Sequence, residues 1–409
     1  MNVIILADYA DGSGGAPAVA VSSAIGLAEL GIQVAYVHAV AHDPDPRLGA
    51  AGVVTVPLGL ADVWSRSSLA AAGQGVWNAA AARRLTGALA EIARPGTVLH
   101  LHQWTKAFSP AIFPVLLRSG LPLAVTLHDY FLSCPTGLYY RFDHGEPCTL
   151  RPLSLRCVLA PCDPRSFAHK IVRVARAAAT RAAASAAPFH VVHVSERGRE
   201  TIAPLLPAHV RQHRVDNPVE AEHGPPLAIP DDAVPAFVGR LTPEKGALLA
   251  AEACAAAGVP AFFIGDGPCA DAIRRLHRGA TVTGWLPRAE VDSLLRTRVR
   301  AVLAPSLWYE TGPLTVREAM AIGLPSIVSD RAGSAEAVGH GETGLVVPPD
   351  PASFAAAIRR LADIGEARRL GRAAYRRFWD APPTRRAHAE ALRRLYGEML
   401  SDPPRWPSP

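Results

Sequence analysis
The stretch that decides the fold is Ala304–Pro349, APSLWYETGPLTVREAMAIGLPSIVSDRAGSAEAVGHGETGLVVPP. The apolar run Arg300–Ala304 that leads into it reads as a buried strand. A polar loop follows at Glu310-Thr-Gly-Pro313. From Leu314 to Ile322 the apolar residues take helical spacing, with Val316, Ala319 and Met320 on one face. Gly323 stands where a helix C-cap belongs, and Pro325 opens a second strand that runs to Ser329. Strand, loop, helix and strand in that order build a parallel α/β sheet.

Two carboxylates carry the chemistry of this stretch. Glu310 is on the loop at the strand's C-terminal end, and Glu318 lies inside the helix, off its apolar stripe. The amides of Gly312 to Thr315 start the helix and have no acceptor within it, which makes them a ready anion site. Carboxylates for hydroxyls and a positive helix end for phosphate suit a sugar nucleotide. Two glutamates alone would be an ordinary solvated pair. The residues around them decide otherwise.

Working outward, 409 residues exceed one ordinary core and predict two domains. An apolar share of 49% with 19% charged is globular, not disordered. The net charge of +6 is almost all arginine, since lysine occurs only at Lys106, Lys170 and Lys245. This mild basicity gives no ground for nucleic-acid binding, and it is compatible with phosphate ligands or anionic lipid. Met1–Asp8 has no basic leader, and no apolar run approaches the ~18 residues that span a bilayer. The expectation is a cytoplasmic protein, with at most a peripheral place on the inner face of the membrane.

The N-terminal half alternates in the same way. Asn2–Ala7 reads as a strand, Asp8–Gly15 as a glycine-containing loop and Pro17–Leu30 as a helix, the opening of a doubly wound fold. The glycines at 12, 14 and 15 do not form a dinucleotide fingerprint. Further strands are expected at Gln33–Ala39, Val53–Pro57, Thr97–His102, Leu123–Leu127 and Phe189–Val194. Helices are expected at Asn78–Ala93 and Pro110–Leu117. His102 and His128 stand at strand carboxyl ends, where open α/β sheets bind ligands. Isolated histidines there are more often structural.

Cys134, Cys148, Cys157 and Cys162 fall in a Pro/Gly-rich insert, 134–163. Their clustering leaves a structural zinc site, free thiols and disulfides open; no C-x2-C pair favours zinc. Arg165 to Ala187 reads as a helix bearing Arg165, Lys170, Arg173, Arg176 and Arg181, packed through a strip of Phe167, Ile171 and Val174. Its basic residues admit a second reading as a contact with an anionic membrane.

The Pro-rich segment 220–232 reads as a linker. Beyond it, Ala236–Gly246 is strand, loop and helix start. Arg240 and Lys245 there suit a diphosphate leaving group, whose charge is where catalytic stabilisation belongs.

Several of these segments together carry a resemblance. Glu310-x7-Glu318 stands in Ser306-x-Trp308-Tyr-Glu-Thr-Gly-Pro-Leu-Thr-Val-Arg-Glu-Ala-Met-Ala-x-Gly-Leu-Pro325. With it go Gly239-Arg-x4-Lys-Gly246, Val282-Thr-Gly-Trp-Leu-Pro287, Thr126-Leu-His-Asp129 and Asn217-Pro218, in family order. The chain resembles the retaining GT-B glycosyltransferases of family 4. The resemblance implies two Rossmann-like α/β domains facing across a cleft, an acceptor domain at 1–219 and a nucleotide-sugar domain at 233–385. It also implies a helix, 386–400, that crosses back to the first domain, followed by a tail, 401–409.

It further implies roles. Glu318 holds the ribose hydroxyls, Glu310 holds the donor-sugar hydroxyls with the backbone of Thr311 to Leu314 near the sugar and phosphates, and Gly312, Pro313, Leu314 and Thr315 belong to the donor-binding segment. Gly284 lies in the segment that holds the base, and Arg240 and Lys245 neutralise the leaving diphosphate. His128 touches the sugar, and Gly14 and Gly15 meet the acceptor or the transferring phosphate. No Asp-x-Asp of the metal-dependent kind is apparent, so no catalytic metal or other cofactor is expected beyond a UDP- or GDP-sugar donor. The acceptor class is a glycan or a polyprenyl-linked glycan in surface polysaccharide or glycolipid assembly. The competing readings are a nucleotide-sugar epimerase of the same fold and a non-catalytic sugar-nucleotide binder.

Overall fold
The computed structural model describes residues 1–312 and 314–402. Pro313 of the expected donor loop and residues 403–409 of the expected tail lie outside the described residues. The chain divides into two compact units. The first comprises Met1–Tyr139, Thr149–Pro218 and the C-terminal segment from Pro383; the second comprises Tyr140–Cys148 and Val219–Pro382.

The first unit is built on strands β1 (Asn2–Ala7), β2 (Gln33–Val40), β3 (Val54–Leu60), β4 (Thr97–Leu101) and β5 (Leu123–Leu127). A short antiparallel hairpin of the second unit follows in the chain, β6 (Tyr140–Arg141) and β7 (Glu146–Pro147). Strands β8 (His190–His193) and β9 (Arg211–Arg214) complete the first sheet. Its order is β3-β2-β1-β4-β5-β8-β9, with parallel pairing throughout. β4, β5 and β8 are buried along their whole length. That is the pattern of parallel strands covered on both faces.

The second sheet contains β10 (Val234–Val238), β11 (Ala261–Ile264), β12 (Ala280–Gly284), β13 (Val299–Ala304), β14 (Ser326–Ser329) and β15 (Gly344–Val347). Its order is β12-β11-β10-β13-β14-β15, again parallel. In each sheet the strand order turns outward in both directions from one central pair, β1/β4 and β10/β13. Such a switch point opens a ligand crevice beyond the carboxyl ends of the strands.

The C-terminal helix Arg385–Ser401 packs in the first unit against the helix Gly15–Glu29. A Cβ on Gly26 would stand 3.0 Å from the carbonyl oxygen of Arg385, so glycine sets how closely the two helices approach. Tyr396 and His388 extend from the C-terminal helix into buried polar contacts. Tyr396 Oη lies 2.6 Å from His100 Nδ1, and His388 Nε2 lies 2.8 Å from Ser23 Oγ.

Two expectations are overturned in the first unit. The helix Phe167–Ala184 is turned the other way from its expected packing. Phe167 and Ile171, expected to pack, are exposed, while Lys170 is fully buried with Nζ 2.8 Å from Cys162 Sγ. Arg173 and Arg176 also point inward, donating to the carbonyls of Thr136 and Pro135. The buried face is supplied instead by Ala177, Thr180, Ala183 and Ala184, small enough for close packing.

The zinc and disulfide alternatives for the cysteines also fall. All six cysteines are free thiols, and among the described residues no three His, Cys, Asp or Glu side chains converge on a metal position. Cys148 belongs to the second unit, whereas Cys134, Cys157 and Cys162 are buried in the first. Cys162 faces Lys170, and Cys134 Sγ lies 3.3 Å from Thr136 Oγ1. Among the described residues no helix is long and apolar enough to cross a membrane.

Candidate active site
The second unit gathers most of the residues singled out in the sequence around the carboxyl ends of β10 and β13. The loop after β10 carries Arg240, Glu244 and Lys245 and closes at Gly246, which starts the helix Ala247–Ala257 with φ of 73°. A Cβ at Gly246 would stand 2.1 Å from the carbonyl oxygen of Pro305. Only glycine lets the cationic loop reach the loop after β13. The amide of Leu307 then donates to the carbonyl of Glu244 at 2.9 Å, tying the two loops together.

On that scaffold Lys245 Nζ is in ion-paired contact with Glu310, whose other carboxylate oxygen accepts from Ser306 Oγ. Glu310 is 5% exposed, and its own carbonyl accepts from the amide of Gly333 at 2.7 Å. A buried carboxylate is tolerable when paired and hydrogen-bonded in this way. Burial, with the positive charge of Arg240, lowers the Lys245 ammonium to about 8, against the opposing field of Glu244. Lys245 is therefore a cation at neutral pH that gives up its proton more readily than a free lysine. Arg240 is exposed and faces Glu244 at 3.8 Å.

Immediately beyond is the helix Leu314–Ile322, with the expected bounds. Val316, Ala319 and Met320 are buried. Glu318 stands off that face, and its carboxylate accepts from Arg288 Nη1 at 2.7 Å. Burial raises the Glu318 carboxyl, and the Arg288 guanidinium opposes the rise. The first-turn amides at Leu314 and Thr315 have no acceptor within the helix. Gly284 ends β12 with φ of 74°, its carbonyl accepting from the amide of Gly265 at 3.0 Å, and the next residue, Trp285, is 77% exposed.

The sequence reading missed Glu244, Arg288, Ser306 and Trp285. Ser306 and Trp285 lie inside the quoted motifs, so their position was a signal. Glu244 and Arg288 become informative only once the loops are folded beside Lys245 and Glu318.

His128 belongs to the first unit. Its Nε2 is 3.0 Å from Nδ1 of His102, one nitrogen donating and the other accepting, with the rings stacked. Burial brings His128 to about 3, so it is neutral at physiological pH. His102, also held well below its usual value by burial, positions His128. Gly14 and Gly15 both have positive φ at the start of the helix Gly15–Glu29, which begins two residues earlier than expected.

Residues 233–363 match the family model described as glycosyl transferases group 1. Alpha-D-kanosaminyltransferase of Streptomyces kanamyceticus is 27% identical over 76% of this chain and 76% of its own length. Other curated glycosyltransferases match over only 34% and 37% of their own length. The solved structure of sucrose-phosphate synthase from Thermosynechococcus elongatus superposes with a TM-score of 0.73 at 19% identity, covering 98% of this chain and all of that one. The Anabaena protein HepE, solved in complex with UDP and glucose, superposes with a TM-score of 0.65 at 15% identity, covering 97% of this chain and all of that one. The second unit therefore carries a glycosyl transferases group 1 domain, and the two parallel α/β units have the architecture of the GT-B fold.

Proposed function
We propose that the chain is a retaining glycosyltransferase of the E-x7-E type, family 4. It moves a hexosyl unit from a UDP- or GDP-sugar to a glycan or polyprenyl-linked acceptor. The observation that carries this reading is the contact of Lys245 with Glu310, held by Ser306 beside the start of the helix Leu314–Ile322. A preorganised cation, a carboxylate and free amides are what a departing nucleoside diphosphate and a sugar require.

In this reading Lys245 and Arg240 neutralise charge as the glycosidic phosphate bond lengthens. Glu310 accepts hydrogen bonds from the donor-sugar hydroxyls. Because its oxygens are already engaged by Lys245 and Ser306, it serves as an acceptor of hydrogen bonds and not as a nucleophile. Glu318, shared with Arg288, accepts from the ribose hydroxyls. Gly284 offers backbone to the base, and Trp285 offers an exposed aromatic face. His128, neutral and oriented by His102, contacts the sugar, and Gly14 and Gly15 contact the acceptor or the transferring phosphate. The outer face of the helix Phe167–Ala184, with exposed Phe167, Ile171 and Arg181 and with Arg165 just before it, supports peripheral contact with an anionic membrane on its cytoplasmic side.

The test is nucleoside diphosphate release from a panel of nucleotide sugars with and without candidate acceptors, with the product anomer read by NMR. Acceptor-dependent release with the donor's anomeric configuration kept is expected. An inverted product would contradict the mechanism, and epimerised donor without acceptor would replace the reading with an epimerase.

A further inference from the structure
The ligand end of the first sheet carries cations that its own carboxylates do not pair. Lys106 follows β4, and its Nζ lies 4.7 Å from the ring centroid of Trp64. Arg165 takes the same ring at 4.2 Å. Arg176 stacks on Phe131 at 4.4 Å and donates to the carbonyl of Pro135. Among the described residues, none of Lys106, Arg165 and Arg176 is ion-paired to a carboxylate. Arg173 is, with Asp163 at 3.2 Å.

The neighbouring acids are engaged elsewhere. Both oxygens of Asp8 accept backbone amides, from Lys106 at 2.8 Å, Ala107 at 2.9 Å and Phe108 at 3.0 Å. Asp129 accepts from the amide of Phe131 at 3.0 Å.

Several other cations of the chain do meet carboxylates, among them Arg47, Arg199, Arg288, Arg360 and Arg385. Half-buried cations that repel one another destabilise a fold unless an anion arrives. Burial lowers Lys106, and Arg176 and Arg173 push it further down, against Asp8. Burial and Arg173 bring Arg176 to about 10, against the opposing fields of Asp129 and Asp8. The inverted helix is the structural source of this crowding, because it turns Arg173 and Arg176 into the unit.

We propose that this end of the first unit binds a phosphate-bearing group of the acceptor, with Lys106, Arg165, Arg173 and Arg176 as its cationic wall beside Trp64. The acceptor's role rests on the transferase reading above; the anion site rests on the cluster itself. Guanidinium groups favour phosphate because they offer paired N–H donors, and Lys106 adds a point charge. The phosphate can belong to a soluble acceptor or to a lipid headgroup.

The chain's three lysines allow a site-resolved test. Lys106 reports the proposed site, Lys245 the donor site, and Lys170 is buried. The full chain is labelled with an amine-reactive ester, and each lysine is read by peptide mass spectrometry. The protein is first saturated with the nucleotide that protects Lys245. Inorganic pyrophosphate at about ten times its Kd is then expected to slow labelling of Lys106 about tenfold. A parallel arm uses phosphatidylcholine vesicles containing phosphatidate. Protection by pyrophosphate assigns a soluble phosphate, and protection by vesicles alone assigns a headgroup.

R165Q removes an exposed arginine, so the fold is kept, and it is expected to weaken protection at Lys106 while leaving Lys245 protected. R176Q is expected to weaken it further. Unprotected Lys106 in both arms, or protection unchanged by both substitutions, overturns the proposal. Failure of every nucleotide to protect Lys245 counts against the transferase reading and leaves the Lys106 result standing.

Discussion

The carboxyl ends of the two sheets have the same backbone topology and opposite electrostatics. In the second unit the charges at the switch point are matched: Lys245 with Glu310, Arg288 with Glu318, Arg240 facing Glu244. In the first unit His102 and His128, held well below their usual value by burial, are hydrogen-bonded to each other, and among the described residues Lys106, Arg165 and Arg176 are not ion-paired to a carboxylate. On the proposed reading, a matched site is held ready until substrate hydroxyls and phosphates replace its internal partners. An unmatched site keeps a standing demand for an anion. On the proposed reading, one fold thus supplies a preorganised donor site in one unit and an electrostatic receptor in the other.

The largest expected effect tests the matched side. Lys245→Ala should lower kcat by ~10²–10³, the loss seen when one preorganised charge-stabilising group is removed. It should also leave Glu310 buried without its cation, so Lys245→Met with Glu310→Gln serves as a paired control for folding. An intact kcat in Lys245→Ala would break the comparison.

Next in size, Lys106→Gln should raise the acceptor KM by ~10–100-fold, the range of a charge-assisted hydrogen bond, with nucleotide affinity unchanged. A change in nucleotide affinity instead would show that the two sites are not separate in function.

The pH profile comes third. The free-enzyme profile, kcat/KM, should fall above about 8 as Lys245 loses its proton, by about tenfold per pH unit. The sign follows from the lowered value: the active, charged form exists below it. Lys245→Arg should move that limb to higher pH. His128 and His102, both far below neutral, should contribute no limb between about pH 5 and 8.

The smallest effect concerns the scaffold. Tyr396→Phe removes the partner of His100 in a dry site and should cost ~1–3 kcal/mol of first-unit stability, measured by denaturant unfolding. An unchanged midpoint would mean the Tyr396–His100 contact adds nothing to the hold of the C-terminal helix.

The second unit was largely legible because its signals are local. Its site residues lie in short motifs such as the one closed by Gly246, where a Cβ would clash with Pro305, and the helix Leu314–Ile322 has the bounds its periodicity predicts. The first unit was less legible because its decisive contacts are distant in sequence. Nothing near Lys106 marks Trp64 or Arg176 as a neighbour. The helix Phe167–Ala184 misled for a physical reason: apolar periodicity names a stripe but not the side that is buried. Alanines and a threonine, weak in hydropathy, took the packed face. The cysteine insert was left open in the sequence between zinc, free thiols and disulfides, and among the described residues its clustering did not become convergence on a metal position.

The most direct test of the donor site is thermal stabilisation by UDP-, GDP-, ADP- and dTDP-sugars, comparing the unmodified chain with Glu318→Ala. The account predicts a rise in Tm with one nucleotide class, lost or strongly reduced in Glu318→Ala. No rise with any nucleotide, or an equal rise in the variant, would contradict it.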